Sequence, residues 1–367
     1  MAPDSHLTDR GRVVAGKYEL VEMAGEGGMA TVWRAQMRGA AGFSRPVAVK
    51  KMKPEFRAVK NYIAMFVEEA RVGSELQHPN IVQVYDFCQD SDQMYYLVME
   101  WVEGIDLGSF VRAFRYGDQP TPWPLVAAIG VGALRGLAAA HERLSTSGAP
   151  APVIHRDVSP HNILLGANGI VKLTDFGLAR AQDRIHSLTA PGTVKGKLSY
   201  LAPEITMGRS ATTRSDVFSM GSVLWEALAG RALFDGARDT DVFAKIRRGD
   251  IMPLRAERPD VPEQVTAVIH RALSLKPHDR FETAREMAHE LATALGKVQS
   301  PTDAQTLLGR AVAEARDWLG LGGRTQLPPS TAGEISDIVT ISMSGIEIVE
   351  PAGAPDEPLP LTHRKGD

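Results

Sequence analysis

The sequence predicts an α+β chain of two unequal parts: a small β-rich part with one helix, then a larger and mainly helical part. Two observations point there. Between Lys17 and Trp101 apolar residues alternate with polar or small ones in short runs, the period-two pattern of half-buried strands, interrupted once by a run of helical period. After Gly104 helical spacing takes over, and strand-like runs shrink to two short pieces.

Composition sets the outer limits. The 367 residues are 44% hydrophobic and 23% charged with a net charge of −3. Such a chain can bury a sizeable core and lacks the basic surplus of a nucleic-acid binder. The single cysteine, Cys88, excludes an intrachain disulfide and a cysteine-based zinc cluster, and it suits a reducing compartment. The N-terminus is polar, and no run approaches the roughly 18 apolar residues of a membrane span. The expected location is therefore the cytosol.

The elements follow in order. Tyr18, Leu20, Val32, Val47 and Val49 mark strands punctuated by Gly25, Gly27 and Gly28. Residues 58–76 place Ile63, Phe66, Val67, Ala70 and Val72 on one helical side. Strand-like runs follow at 81–87 and 94–101. Helices are expected over 106–114, 124–144, 215–229, 240–248, 262–274 and 283–295, with short strands at 163–165 and 171–173. The proline-rich 117–124 separates two helices, and 145–152 reads as an exposed excursion. Beyond Ser300, residues 306–319 carry helical spacing, and Ile335–Val349 is a β-branched island in a Gly-, Pro- and Ser-rich tail. The expected boundaries are a disordered segment over 1–16, a domain over 17–296 with parts at 17–101 and 104–296, an accessory helical segment over 297–321, and a mostly disordered tail over 322–367.

Chemistry enters with Ala24-Gly25-Glu26-Gly27-Gly28-Met29-Ala30-Thr31-Val32. Glycines let backbone N–H groups approach phosphate oxygens unobstructed, though a glycine-rich turn looks the same. The element after it is a strand, which argues against a dinucleotide-binding βαβ unit. Gly192–Lys197 is too short for a Walker loop, and Leu198 stands where that loop needs Ser or Thr. Lys50 ends the apolar run Val47-Ala48-Val49, and a lysine on a buried strand needs an anion, which Glu69 on the following helix can supply. A snorkelling lysine is the alternative, Lys51 could equally snorkel, and the choice of Lys50 rests on the resemblance carried by the motifs downstream.

Downstream come His155-Arg156-Asp157-Val158-Ser159-Pro160-His161-Asn162, then Thr174-Asp175-Phe176-Gly177, then Ala202-Pro203-Glu204. With the glycine loop and Val-Ala-Val-Lys, these five motifs resemble the protein-kinase signature set in its order. The Gly-Gly-Met form of the loop resembles the bacterial branch of the eukaryotic-type Ser/Thr kinases. The resemblance covers Tyr18 to Leu295 and implies a bilobal protein-kinase fold with its hinge near Glu100–Val102, ATP and Mg²⁺ as cofactors, and proteins bearing Ser or Thr as substrates. By the same resemblance Asp157 is the catalytic base, and Lys50 with Glu69 steadies the α- and β-phosphates. Asn162 and Asp175 hold Mg²⁺. Ala24 to Val32 and Thr174 line the nucleotide site. Ala48, Val32 and Leu164 enclose adenine beside Met99 and the backbones of Glu100 and Val102, and Asp106 approaches the ribose. Arg156 would receive a phosphate from Thr193, or from Thr189 or Ser187, placed there by the chain itself. Three further residues read as structural: His155 beside Phe176, Glu204 paired with Arg280, and Asp216 tying the catalytic loop.

Two departures from the family pattern stand out. Ser159 replaces the lysine two residues after the base, and Lys197 replaces the threonine of the usual Gly-Thr-x-x-Tyr. The expectation is an exchange: Lys197 supplies the missing positive charge and Ser159 the hydroxyl. Gly73, four residues after Glu69, is expected to loosen its helix, so that Gly73→Leu would raise activity. The alternatives are a nucleotide-binding pseudokinase, a small-molecule kinase of related fold and, for the tail alone, a module for a protein partner or a dimer.

Overall fold

The computed structural model describes residues 9–176, 197–299, 303–321 and 347–348. Thr189, Thr193, Ser187 and Gly177 lie outside these residues, as does the side chain of Lys197.

Six strands form an antiparallel sheet: β1 (Val13–Val14), β2 (Tyr18–Glu26), β3 (Ala30–Arg38), β4 (Ser44–Met52), β5 (Val84–Gln89) and β6 (Tyr95–Glu100), in the order β1-β2-β3-β4-β6-β5. Both faces are covered. Tyr18, Leu20, Trp33, Val47, Val49, Tyr96 and Val98 pack on one face. Ala30, Met52 and Leu97 meet Phe66 and Ala70 of α1 (Lys60–Glu75) on the other. Strand β1 corrects the expectation of disorder over 1–16 for residues 9–16. Val14 is buried, Val14 pairs with Tyr18, and Arg12 bonds Asp90 at 2.8 Å. Two residues are too few to leave a visible period, so sequence alone misses such a strand.

The larger lobe opens with β7 (Gly104–Asp106), α2 (Leu107–Tyr116) and α3 (Trp123–His141). Strands β8 (Ile163–Gly166) and β9 (Val171–Leu173) complete a three-stranded sheet with β7. Then come α4 (Pro203–Thr206), α5 (Thr213–Ala229), α6 (Asp239–Arg248), α7 (Leu254–Glu257), α8 (Glu263–Ala272) and α9 (Ala284–Leu295). Helix α3 is long and apolar enough to cross a membrane, yet 72% of its apolar window is buried, so it is a core helix. At Gly130 a Cβ would stand 2.7 Å from Leu291, which shows how closely α9 approaches it. Segment 145–152 is an exposed turn closed by Ser145 N–H donating to the Ala149 carbonyl at 2.8 Å.

Beyond α9, β10 (Val298–Gln299) pairs with β11 (Glu347–Ile348), and α10 (Ala304–Trp318) lies against α2, α3, β7 and β8. Leu308, Val312 and Ala315 are buried, and the Trp318 ring meets Phe114 edge-on at 5.8 Å. Arg316 pairs with Glu103 at 2.6 Å, and Trp101 Nε1 donates to the other oxygen of Glu103 at 2.9 Å.

The expected Glu204–Arg280 pair is formed and buried. Both guanidinium Nη groups donate to Glu204, at 2.9 and 2.8 Å, and the remaining N–H groups reach the carbonyls of Ser274, Arg214 and Leu275. Removing one partner would strand a carboxylate and three carbonyls. Arg280→Met is therefore expected to lower stability by about 3–5 kcal/mol, read as a shift in the urea unfolding midpoint.

Candidate active site

The catalytic loop is held from below. Asp216, in the first turn of α5 and almost inaccessible, accepts from the N–H of His155 at 2.8 Å and of Arg156 at 2.9 Å. His141 Nε2 lies 2.8 Å from the same carboxylate. Arg156 sits at φ 65°, a left-handed conformation that a side chain disfavours. Two charge-assisted bonds to adjacent N–H groups hold it there.

His155 is the structural residue expected. It is fully buried, its ring stands 4.6 Å from that of Phe176, and Nε2 donates to the Thr174 carbonyl at 3.1 Å while Nδ1 accepts from Asp157 N–H at 3.3 Å. Those two bonds place the ring proton on Nε2. Asn162 Nδ2 donates to the Asp157 carbonyl at 2.8 Å, and Thr174 N–H donates to the Asn162 carbonyl at 3.0 Å. The loop bearing Asp157 and the strand leading to Asp175 thus share one hydrogen-bonded frame.

Lys50 joins the two lobes. Its Nζ lies 2.5 Å from Glu69 Oε1 and 2.9 Å from Asp175 Oδ1. Burial works against its charge, but Asp175 and Glu69 overcome that and raise its pKa above the ordinary lysine range. Glu69 moves the other way for a carboxylate. Burial first, then repulsion from Asp175, push it up to about 7 against the pull of Lys50.

The residues expected around adenine are brought together. Ala48 and Met99 form one apolar cluster with Val82, and Val32, Val102, Leu164 and Trp101 pack against it. Val82 and Trp101 escape sequence reasoning because each sits at the end of a run, where periodicity is weakest. The Glu100 N–H already donates to the Gln83 carbonyl at 2.8 Å, which narrows that residue's contribution to adenine to its carbonyl. Its side chain pairs with Lys172 at 2.9 Å. Asp106 caps α2, accepting from Ser109 N–H at 3.0 Å, and lies 3.0 Å from His161 Nδ1.

The glycine loop is the β2–β3 hairpin, with Glu26 opposite Thr31 and Gly27 N–H donating to Ala30 at 2.8 Å. At Gly25 and Gly28 nothing lies within 4 Å of where a Cβ would stand, and neither has positive φ. The fold itself does not demand glycine there, so the room suits a phosphate group. Ala24 lies in β2 just before Gly25, and Met29 packs against the cluster below α1. Glu26 pairs with Lys53 at 2.6 Å, and the Thr31 hydroxyl accepts from Trp33 Nε1 at 3.1 Å. For Mg²⁺ the donors fit: a carboxylate from Asp175 and an amide oxygen from Asn162 are hard ligands, and this ion takes its remaining ligands from phosphates and water. Asp175 is held at φ 54°.

One expectation changes. A Cβ at Gly73 would stand 2.6 Å from Val84 Cγ2, so the glycine is a close-packing position between α1 and β5 and not an open slot facing Phe176. Ser159 is buried, and its hydroxyl has no partner among the described residues.

A lysine shared by a helix glutamate and the Asp-Phe-Gly aspartate, above a tied His-Arg-Asp loop, is the arrangement of a protein kinase. The chain belongs to that family: the protein kinase domain model matches residues 18–292. Bacterial kinases are among its relatives. It is 38% identical to the Myxococcus xanthus protein named tyrosine-protein kinase MasK, over 80% of this chain and 45% of that one. It is 34% identical to the serine/threonine-protein kinase PrkC of Bacillus subtilis, over 77% of this chain and 41% of that one. The chain thus spans under half the length of these curated relatives. The solved kinase domain of Mycobacterium tuberculosis PknI aligns with a TM-score of 0.57 at 27% identity, over 78% of this chain and 98% of that one.

Two measurements probe this geometry. Glu69 has a folded pKa of about 7 against an ordinary 4.5, so its contribution to stability is full below 4.5 and lost as pH rises to about 7. The nucleotide-free protein should melt at a lower temperature as pH climbs through that window, and Asp175→Asn should flatten the slope. Gly73→Leu must displace Val84, and overpacking of this kind costs about 1–3 kcal/mol. The expected outcome, opposite to the sequence reading, is a lower melting temperature and lower activity.

Proposed function

We propose that the chain is an ATP- and Mg²⁺-dependent serine/threonine protein kinase. One observation carries this reading: Lys50, Glu69 and Asp175 are in ion-pair contact above a catalytic loop whose Asp157 and Asn162 are fixed by hydrogen bonds. Phosphoryl transfer asks for positioning and charge neutralisation more than covalent help. Asp157 orients the substrate hydroxyl and accepts its proton. Lys50, held by Glu69, steadies the α- and β-phosphates. Asn162 and Asp175 hold Mg²⁺, which offsets phosphate charge when bound. Ala48, Val32, Leu164 and Met99 enclose adenine, the Glu100 carbonyl and Val102 backbone bond it, and Asp106 meets the ribose.

Lys197 supplies the positive charge that the family places two residues after the base. In this reading the Ser159 hydroxyl takes the part of the family's threonine; it is buried, with no partner among the described residues. The chain phosphorylates its own activation segment at Thr193, with Thr189 as the alternative, and Arg156 receives the phosphate. It works in the cytosol on protein substrates, and the tail offers a site for a partner or a second copy.

A second reading has specific support. The M. xanthus relative is named a tyrosine kinase, and Ser159 removes a lysine typical of serine/threonine kinases. Phosphoamino-acid analysis separates the two. Incubation with labelled ATP and Mg²⁺ should yield phosphoserine and phosphothreonine, while phosphotyrosine alone would favour the second. Asp157→Asn should cut transfer by about 10²- to 10⁴-fold with nucleotide binding retained; unchanged transfer would remove Asp157 from its role. In the same assay Lys197→Met should reduce turnover by about 10²-fold or more, and full turnover would refute the exchange.

A further inference from the structure

A groove of about 270 Å³ lies beside the catalytic loop, between α2, the loop's His161 and the C-terminal end of α5. It begins within four residues of Asp157, so any polypeptide presenting a hydroxyl to that aspartate must lay its flanking residues near it. Three arginines line it: Arg112 and Arg115 on α2, and Arg231 just past α5.

Their bonding differs. Arg231 is paired with Glu257 at 2.8 Å and rests on the Trp225 ring. Arg112 donates only to the Ser109 hydroxyl at 2.9 Å, and Arg115 reaches the Gly230 carbonyl at 3.5 Å. Neither has a carboxylate within ion-pair reach among the described residues, and both are exposed. The groove's own acid, Glu226, is half-buried and accepts from the Tyr200 hydroxyl at 2.8 Å. Burial raises its pKa. The wall beside the base thus carries two exposed guanidinium groups that no carboxylate matches among the described residues.

We infer that this groove selects protein substrates carrying Asp or Glu near the acceptor residue, with Arg112 and Arg115 as the specificity-determining pair. The inference rests on the kinase reading and adds the substrate class. A guanidinium fork matches a carboxylate in shape as well as charge. The pair lies on a regular helix capped by Asp106, so its placement does not depend on a loop.

Three peptides of equal length, sharing one acceptor and flanked by acidic, glutamine or basic residues, test it with the full chain. The acidic peptide should show kcat/KM higher than the glutamine peptide by on the order of tenfold, with the basic one lowest. The spread should shrink as salt is raised. Arg112→Glu/Arg115→Glu should reverse the order, an outcome that misfolding cannot mimic. Should that variant fail to fold, Arg112→Gln and Arg115→Gln singly should narrow the spread. Equal kcat/KM on all three peptides, or an unchanged order in the variants, would overturn this inference alone. No Asp157-dependent transfer to any peptide or to the chain itself would overturn the kinase reading with it.

Discussion

One buried ammonium group holds the two lobes in working register. Lys50 comes from the sheet, Glu69 from the helix packed on it, and Asp175 from the strand that runs out of the other lobe. Each charge alone would be costly to bury. Together they are tolerable only while all three elements stand where they do, so the electrostatics of the cluster is also a measure of lobe closure.

The second constraint is backbone strain paired with buried carboxylates. Arg156 and Asp175 both have positive φ, one in the loop before β8 and the other just past β9. Asp216 holds the first by accepting two consecutive N–H groups, and Lys50 holds the second by its side chain. Strain of this kind persists only where surrounding bonds over-determine it. The buried helix α5 thus shapes the site through Asp216, from beneath the loop it holds.

Most of this was legible in the sequence because the chemistry constrains residue type and order. A phosphate loop needs glycines, a metal site needs hard oxygens, and a strand lysine needs an acid. Gly25, Lys50, Asp157, Asn162 and Asp175 could be named for those reasons. Val82 and Trp101 could not, since an apolar residue at the edge of a run looks like any other core residue. Strand β1 was too short to show a period. Gly73 was misread because a glycine in a helix has two opposite meanings, a weak point or a close contact, and only the position of Val84 distinguishes them. The groove arginines carry no motif at all. What gives them meaning is the absence of acidic partners around them, a property of packing and not of spacing.

The helix α10 lies past residue 292, where the family match stops, yet its Arg316 holds Glu103, which in turn orients Trp101 of the adenine enclosure. Arg34 of β3 stands over that same ring at 5.8 Å. A version of the protein trimmed to the matched residues would keep every catalytic side chain and still lose the brace behind its hinge. Its affinity for nucleotide would then describe a looser molecule than the one the full chain folds into.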